Sequence, residues 1–365
     1  MKFCQTSIIS SRREFKLLKS AWDLLIRESD DNNLFLTFEW IDCWLDFLSP
    51  DCTLFIILIH KERQLIAIAP LYKAPIKILK IIPAQVIRVL GDQYSSAEYQ
   101  DLIIRKGHKE EALTEIASVI KNCAKECLTA WAPFADESTG AAARLERVMT
   151  AADYHVASRS IAFYRLPLPD DVKTYESKLK AKQRNNIRRY HKQLSVKDNL
   201  RLENLRDLMS PDEVFSILEN LHSKRWLSKG ETGAFERNPK FRDFLKAYTT
   251  RAGKLDQIAA FCLFQGRKPI AIRFGFTYDN IMYEIQSGFD PSQNGAGLAT
   301  IDMAIKAAIS DKIKVYDFLA FEGEYKQRFG AIKRPGKRLF ATRKNLLGWF
   351  VSRAGLWPTG RYFQM

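Results

Sequence analysis

One short run limits what the second half of this chain can do: Asp290-Pro291-Ser292-Gln293-Asn294-Gly295-Ala296-Gly297. Glycine and asparagine accept positive φ, and the start of a helix leaves its first backbone N–H groups without partners. Leu298, Ile301, Ala304, Ile305, Ala308 and Ile309 follow at helical spacing, so this run opens a helix. Amides and the positive end of the helix dipole converge there, which suits an anion. The competing reading is a loop that only turns the chain.

The flanks narrow the choice. Leu255–Phe264, Pro269–Thr277 and Ile281–Gly288 are apolar runs rich in β-branched and aromatic residues, separated by turns at Gln265-Gly266-Arg267 and Asp279-Asn280. After the helix, which ends near Asp311-Lys312, Val315–Leu319 reads as a fresh strand. The first half carries a fainter copy of this order. Thr53–His60 and Gln64–Tyr72 flank a Lys61-Glu62-Arg63 turn, and strand-like runs follow at Ile76–Ile82, Val86–Leu90 and Leu102–Ile104. A helix over His108–Cys127, a strand over Thr129–Trp131, a helix over Ala141–Ala152 and a strand over His155–Leu166 complete it. Arg63-Gln64-Leu65-Ile66-Ala67-Ile68 and Arg267-Lys268-Pro269-Ile270-Ala271-Ile272 occupy the same turn-and-strand position in the two copies. We therefore expect an α/β (α+β) chain of two tandem units, divided near Pro167–Asp171, where proline and acid replace the apolar pattern. Upstream, Ser20–Arg27 and Phe35–Leu48 read as helices, the second capped by Thr37, with its aromatics serving as core or as a substrate wall.

With 57 basic against 42 acidic residues the chain carries +15, which points to polyanionic partners or substrates. Lys173–Arg201 holds ten basic residues and only two acids, Glu176 and Asp198, around a stripe of Leu179, Ile187, Tyr190 and Leu194. That reads as a basic helix, either a solvated face or a phosphate-binding one. A second helix, Pro211–Leu227, capped by Ser210, ends in His222-Ser223-Lys224-Arg225-Trp226. From Tyr325 to Met365 there is no acid, and ten basic residues alternate with aromatics. This end can pack on its own domain, lie on an anionic membrane as a short amphipathic helix over Leu346–Trp357, or meet nucleic acid. The six cysteines are scattered and Cys123/Cys127 have no nearby His pair, so buried thiols in a reducing compartment are expected and no metal site. No run approaches the length of a spanning helix and the N-terminus lacks a long apolar core, so the expected location is cytoplasmic, with a possible peripheral place at the inner membrane face.

The order meander, glycine loop, helix, strand resembles the GNAT acyltransferase superfamily. Gln293–Gly297 looks like its pyrophosphate loop, shortened by one residue. Within the superfamily the chain is most similar to the branch named for cellulose-biosynthesis acetyltransferases, related to Fem-type aminoacyltransferases. The matching blocks are Gln286–Pro291, Asp317–Leu319, Tyr325-Lys326 with Phe329, His222–Trp226 and Arg184–Arg189. The likeness spans roughly residues 20–345 and is most specific in the C-terminal half.

The resemblance implies two GNAT-like domains, 1–166 and 167–345, each a mixed, mostly antiparallel sheet flanked by helices, with a basic aromatic tail over 346–365. Only the second domain carries the motifs. It implies an acyl-CoA, acetyl-CoA foremost, whose pantetheine arm enters between Ile281–Gly288 and Val315–Leu319. Gln286, Ser287, Gln293, Asn294, Gly295, Ala296, Gly297 and Leu298 are the implied cofactor-binding residues. Asp317 is the first choice as base or as orienter of the acceptor, with a structural carboxylate capping the next loop as the alternative. Glu284 and Glu322 are further candidate bases, and Tyr325 a candidate acid for the leaving thiolate. Arg184, Arg188, His222, Arg225, Trp226 and Lys326 are the implied acceptor-binding residues, although a lone histidine on a helix is often only hydrogen-bonded. The acceptor would be a sugar, polysaccharide or cell-envelope precursor. An aminoacyl-tRNA donor and a non-catalytic scaffold at the membrane surface are the rival readings.

Overall fold

The computed structural model describes residues 4–30, 32–78, 82–95, 97–196, 199–320 and 323–353. The chain divides into two units, Met1–Ala162 with Pro335–Met365, and Phe163–Arg334.

The first unit begins with β1 (Cys4–Ile9), α1 (Arg12–Leu17), α2 (Lys19–Arg27) and α3 (Phe38–Leu45). The expected Phe35–Leu48 helix is shorter because Thr37 takes extended geometry and its hydroxyl accepts the Trp40 N–H, starting α3 there. Trp40 and Trp44 are fully buried, so this segment is core. Next come β2 (Thr53–Lys61), β3 (Gln64–Ile78), β4 (Ile82–Val89), β5 (Ile103–Ile104), α4 (Lys109–Cys123), β6 (Cys127–Asp136), α5 (Ala141–Ala151) and β7 (Tyr154–Pro167). Glu62 and Arg63 take positive φ in the β2–β3 turn. β1 through β4 pair antiparallel in chain order, and β4 then runs parallel to β6. A core of aliphatic side chains, Ile57, Ile59, Ile66, Leu71 and Ile87 among them, meets Ile116 and Ile120 of α4.

The second unit continues with α6 (Val172–Lys178), α7 (Ala181–Ser195) and β8 (Leu200–Asn204). The single basic helix expected over Lys173–Arg201 is thus three elements. Leu179 and Lys180 are extended, which ends α6. Leu200 and Leu202 alternate onto a core with Leu194 and Leu263, a strand pattern that the charge density hid. Then follow α8 (Pro211–Leu227), α9 (Ala234–Arg237), α10 (Pro239–Lys254), β9 (Ile258–Gln265), β10 (Lys268–Tyr278), β11 (Ile281–Phe289), α11 (Ala296–Ser310), β12 (Val315–Ala320) and α12 (Glu324–Arg328). Ser210 and Glu213 form a reciprocal capping box on α8, with Pro211 at its first position. β8 to β11 are antiparallel neighbours; β11 runs parallel to β12, and β12 antiparallel to the Phe163–Pro167 end of β7. Both units are therefore mixed, mostly antiparallel sheets flanked by helices, and each repeats meander, helix, parallel strand.

β13 (Ile332–Arg343) and α13 (Leu346–Arg353) close the described chain. From Pro335 onward they belong to the first unit, where β13 pairs antiparallel with β6. The division thus differs from the boundaries at 167 and 346 expected from composition. Residues 354–365 of the expected tail lie outside the described residues.

Candidate active site

The parallel seam between β11 and β12 is short. Ile281, Met282 and Tyr283 pair with Val315, Tyr316 and Asp317, and no further pair forms along these strands. Beyond Tyr283 the β12 side of β11 has no strand partner among the described residues, so the seam opens there and alternate backbone amides of residues 284–289 lack a strand acceptor on that side.

A bulge in β11 decides what lines that opening. Gly275 of β10 pairs with Glu284, but Phe274 pairs with Gln286, leaving Ile285 as the extra residue. Arg273 and Gly275 share a face, so their partners Ser287 and Glu284 share it too, although residues three apart on a regular strand point to opposite faces. Gly275 permits the close approach, since a Cβ there would lie 1.8 Å from the Tyr283 carbonyl oxygen. Tyr316, paired with Met282, falls on the same face as Glu284.

These side chains form one network. Arg273 Nη1 donates to Glu284 Oε1 at 2.9 Å, and the Tyr316 hydroxyl donates to Oε2 at 2.6 Å. Arg273 Nη2 donates to the Gly297 carbonyl at 3.0 Å, tying the network to the start of α11. The Arg273 guanidinium lies 6.0 Å from the Tyr325 ring centre. Burial, and then the Glu284 charge, push the Tyr325 phenol above its ordinary pKa, so it keeps its proton. Arg273 and Tyr316 were not anticipated. A lone arginine inside the apolar run Ile270–Phe276 is the signal that marks the first, because a buried charge requires a partner.

The glycine loop sits beside this network. Asp290 organises it. Its carboxylate accepts the Ser292 hydroxyl at 2.6 Å and the Ser292 N–H at 3.0 Å, and pairs with Lys268 at 2.7 Å. Burial opposes ionisation, but these partners win and hold its pKa down at about 2. Gly295 has φ +82, and a Cβ there would lie 2.0 Å from the ring of Tyr190 on α7. The Ala296 and Leu298 amides are spent on the Gln293 and Gly295 carbonyls, which corrects their expected role as free donors. The amides of Asn294, Gly295 and Gly297 have no acceptor among the described residues. No acid stands in the first turn of α11. Three free amides at an uncompensated helix start fit a diphosphate.

α8 supplies a cationic wall. Gly288 lets it approach β11, because a Cβ would lie 2.4 Å from the His222 backbone nitrogen. His222 is buried with both ring nitrogens engaged: Nδ1 lies 3.2 Å from the Ser287 carbonyl, and Nε2 accepts the Ala234 N–H at 3.1 Å. Burial lowers its pKa, so it is a neutral cross-link between α8, β11 and α9, not the acceptor-binding group expected. Arg225 Nη1 donates to the Ser287 hydroxyl at 2.9 Å, while its Nε and the Trp226 indole Nε1 are buried without a partner. Arg225, Lys229 and Arg237 lie within 5.4 Å of the Trp226 ring, none of them paired with a carboxylate among the described residues. Unmet donors among unpaired cations suit an anionic group.

Other expected residues lie elsewhere. Asp317 follows Tyr316 and so points to the opposite face from Glu284. It is fully buried; Arg165 Nε donates to Oδ2 at 2.6 Å and the Leu319 N–H to Oδ1 at 2.8 Å. That second bond closes over Leu319, whose φ is +60. Lys326 is buried and donates to the Phe318, Leu319 and Ala320 carbonyls at 2.9, 3.4 and 2.8 Å, so it holds the turned end of β12 instead of an acceptor. Arg184 donates to the Glu176, Ser177 and Leu179 carbonyls, capping the C-terminus of α6. Arg188 is exposed on α7, Gln286 is half-buried on the face opposite Ser287, Gln293 Oε1 is buried without a partner, and Glu322 lies outside the described residues. Among the described residues no group of three or more His, Cys, Asp or Glu could hold a metal ion, and no helix is long and apolar enough to cross a membrane.

Residues 181–327 match the acetyltransferase (GNAT) domain family. The match spans the glycine loop, the β11–β12 opening and the cationic wall. No curated protein matches the chain. Among solved structures, FemX superposes with a TM-score of 0.59 at 10% identity, over 91% of this chain and 96% of that one. A conserved protein of unknown function from Bacteroides thetaiotaomicron gives 0.54 at 12%, over 92% and 100%. L-PGS from Bacillus licheniformis gives 0.51 at 12%, over 94% and 96%. At these identities the likeness is one of fold. The second unit thus has a GNAT-type acyltransferase fold.

Proposed function

We propose that the second unit transfers an acyl group from a coenzyme A thioester to an amine or hydroxyl of an anionic glycan or cell-envelope precursor. The observation that carries this is the β11–β12 opening beside three unpartnered amides at the start of α11. In this reading Asn294, Gly295 and Gly297 hold the diphosphate, and a β11 amide in the opening holds the developing oxyanion. Glu284 takes the proton from the acceptor as its nitrogen or oxygen bonds to the acyl carbon. The carbon–sulfur bond breaks, and Tyr325, which keeps its proton, supplies it to the departing thiolate. Arg225 and the Trp226 indole N–H, with Lys229 and Arg237 behind them, bind an anionic group of the acceptor. The blocks at Gln286–Pro291 and Asp317–Leu319 favour the cellulose-biosynthesis-type branch. Calorimetric titration with acetyl-CoA is expected to give saturable binding that Gly297→Glu weakens about tenfold or more. Absence of binding across acetyl-, malonyl- and long-chain acyl-CoA, with the protein folded, would overturn the proposal.

One observation favours a second reading, an aminoacyl-tRNA donor of Fem type. Lys182, Arg188, Arg189 and Lys192 are exposed on α7, whose Tyr190 contacts Gly295 of the loop. Phosphate contacts of that kind weaken steeply with salt. Filter retention of tRNA that is salt-sensitive and competes with acceptor turnover would support this reading; no retention at low salt would remove it.

A further inference from the structure

α13 is anchored on one side and presents exposed apolar side chains on the other. The Asn345 side chain accepts the Gly348 N–H at 2.8 Å and caps its start. Gly348 allows tight docking, since a Cβ there would lie 1.9 Å from the Arg343 carbonyl oxygen. Val351 is buried. The helix is therefore fixed in rotation, and the stripe it turns outward is Leu346, Trp349 and Phe350, at i, i+3 and i+4, which are 90%, 56% and 46% exposed. An exposed apolar stripe on an anchored helix marks an interaction face.

The surrounding charge says what it meets. Lys344 is exposed next to the stripe, and Arg343 donates to the Ala124 carbonyl, which brings exposed Lys125 alongside. The acids nearby are already spent: Glu126 pairs with Lys73, and Asp153 with Lys121. We propose that α13 docks this unit on an anionic lipid surface, with Leu346, Trp349 and Phe350 in the headgroup–acyl boundary and Lys344 and Lys125 against the headgroup charge. The proposal does not rest on the acyl-transfer reading.

The test is co-sedimentation of the full chain with vesicles. Wild type is expected to bind vesicles of phosphatidylcholine with about a quarter phosphatidylglycerol, and to bind pure phosphatidylcholine about tenfold less. Adding about 0.5 M salt is expected to weaken binding severalfold. Leu346→Ser with Trp349→Ser and Phe350→Ser keeps the Val351 anchor and is expected to lose about tenfold or more in vesicle affinity at unchanged circular dichroism. Lys344→Glu with Lys125→Glu, which leaves the stripe intact, is expected to lose affinity for the anionic vesicles alone. The proposal is overturned if the triple variant binds as wild type does, or if neutral and anionic vesicles bind equally. It is also overturned if the stripe instead supports a dimer seen by light scattering, or salt-sensitive RNA retention, without vesicle binding.

Discussion

Each unit buries a carboxylate between a tyrosine and an arginine, drawn from different positions of the repeated topology, and the two make opposite use of it. In the first, the Tyr72 hydroxyl donates to Asp92 Oδ1 at 2.6 Å and Arg88 engages Oδ2. In the second, Tyr316 and Arg273 grip the two oxygens of Glu284. Around Asp92, Trp44 Nε1 donates to its carbonyl at 2.8 Å and Trp40 Nε1 to the Ser95 hydroxyl at 3.2 Å, so tryptophans seal the segment after β4. Around Glu284 the corresponding segment is the glycine loop, and the network opens onto Tyr325 and Arg225. The crossover helices differ in the same sense. α4 starts with Glu110 and Glu111, which compensate its dipole, whereas α11 starts without an acid. A shared fold thus gives a filled core in one unit and an anion-ready opening in the other.

The largest expected effect separates the two networks. Glu284→Gln should cut acyl transfer per folded molecule on the order of 100- to 10,000-fold. Arg88→Ala in the first unit should leave that rate unchanged but cost about 3–5 kcal/mol of stability in a denaturant titration, because Asp92 is left buried without its cation. Loss of rate from both would mean the first unit takes part in the chemistry. Next is the helix start. Gly297→Glu should weaken acyl-CoA binding about tenfold or more in calorimetry, and Glu110→Ala should leave it unchanged. A smaller effect is expected from Lys326→Met, which removes a buried ammonium from three carbonyls at the end of β12 and should cost about 1.5–3 kcal/mol. If Lys326→Met changed the acceptor KM at unchanged stability, its structural assignment would be wrong.

The smallest effect is a pH slope. His222 has a folded pKa below its ordinary 6.5, chiefly through burial. The unfolded chain then binds more protons between the two values, so stability is complete above about pH 6.5 and falls as pH drops through that window. His222→Asn should flatten this part of the profile in urea titrations at stepped pH. An unchanged slope would show that other groups, such as half-buried His191, carry it.

The meander, the glycine loop and the α11 periodicity could be read from residue types alone, because turns at Gly266 and Asp279-Asn280 and an apolar 3.6 repeat are local signals. Helix α8 follows from Ser210, Pro211 and Glu213 for the same reason. The site is less legible, because its geometry depends on register. One extra residue at Ile285 puts Glu284 and Ser287 on one face, and nothing in the local sequence announces it. The same blindness favours Asp317 over its neighbour Tyr316, since the matching block begins at Asp317 and only the pleat shows that Tyr316 shares the face of Glu284. Lys326 and Arg184 look like ligand groups because they are basic and sit in recognisable blocks. Their partners are backbone carbonyls at the ends of β12 and α6, visible only once those ends are located.

Hydrogen exchange with and without acetyl-CoA, followed by peptide mass spectrometry, tests the contrast between the two units most directly. Slower exchange is expected in peptides covering 284–298, with none in those covering 82–95 or 108–115 of the first unit. Unchanged exchange over 284–298 at saturating ligand, or protection in the first unit instead, would contradict the account.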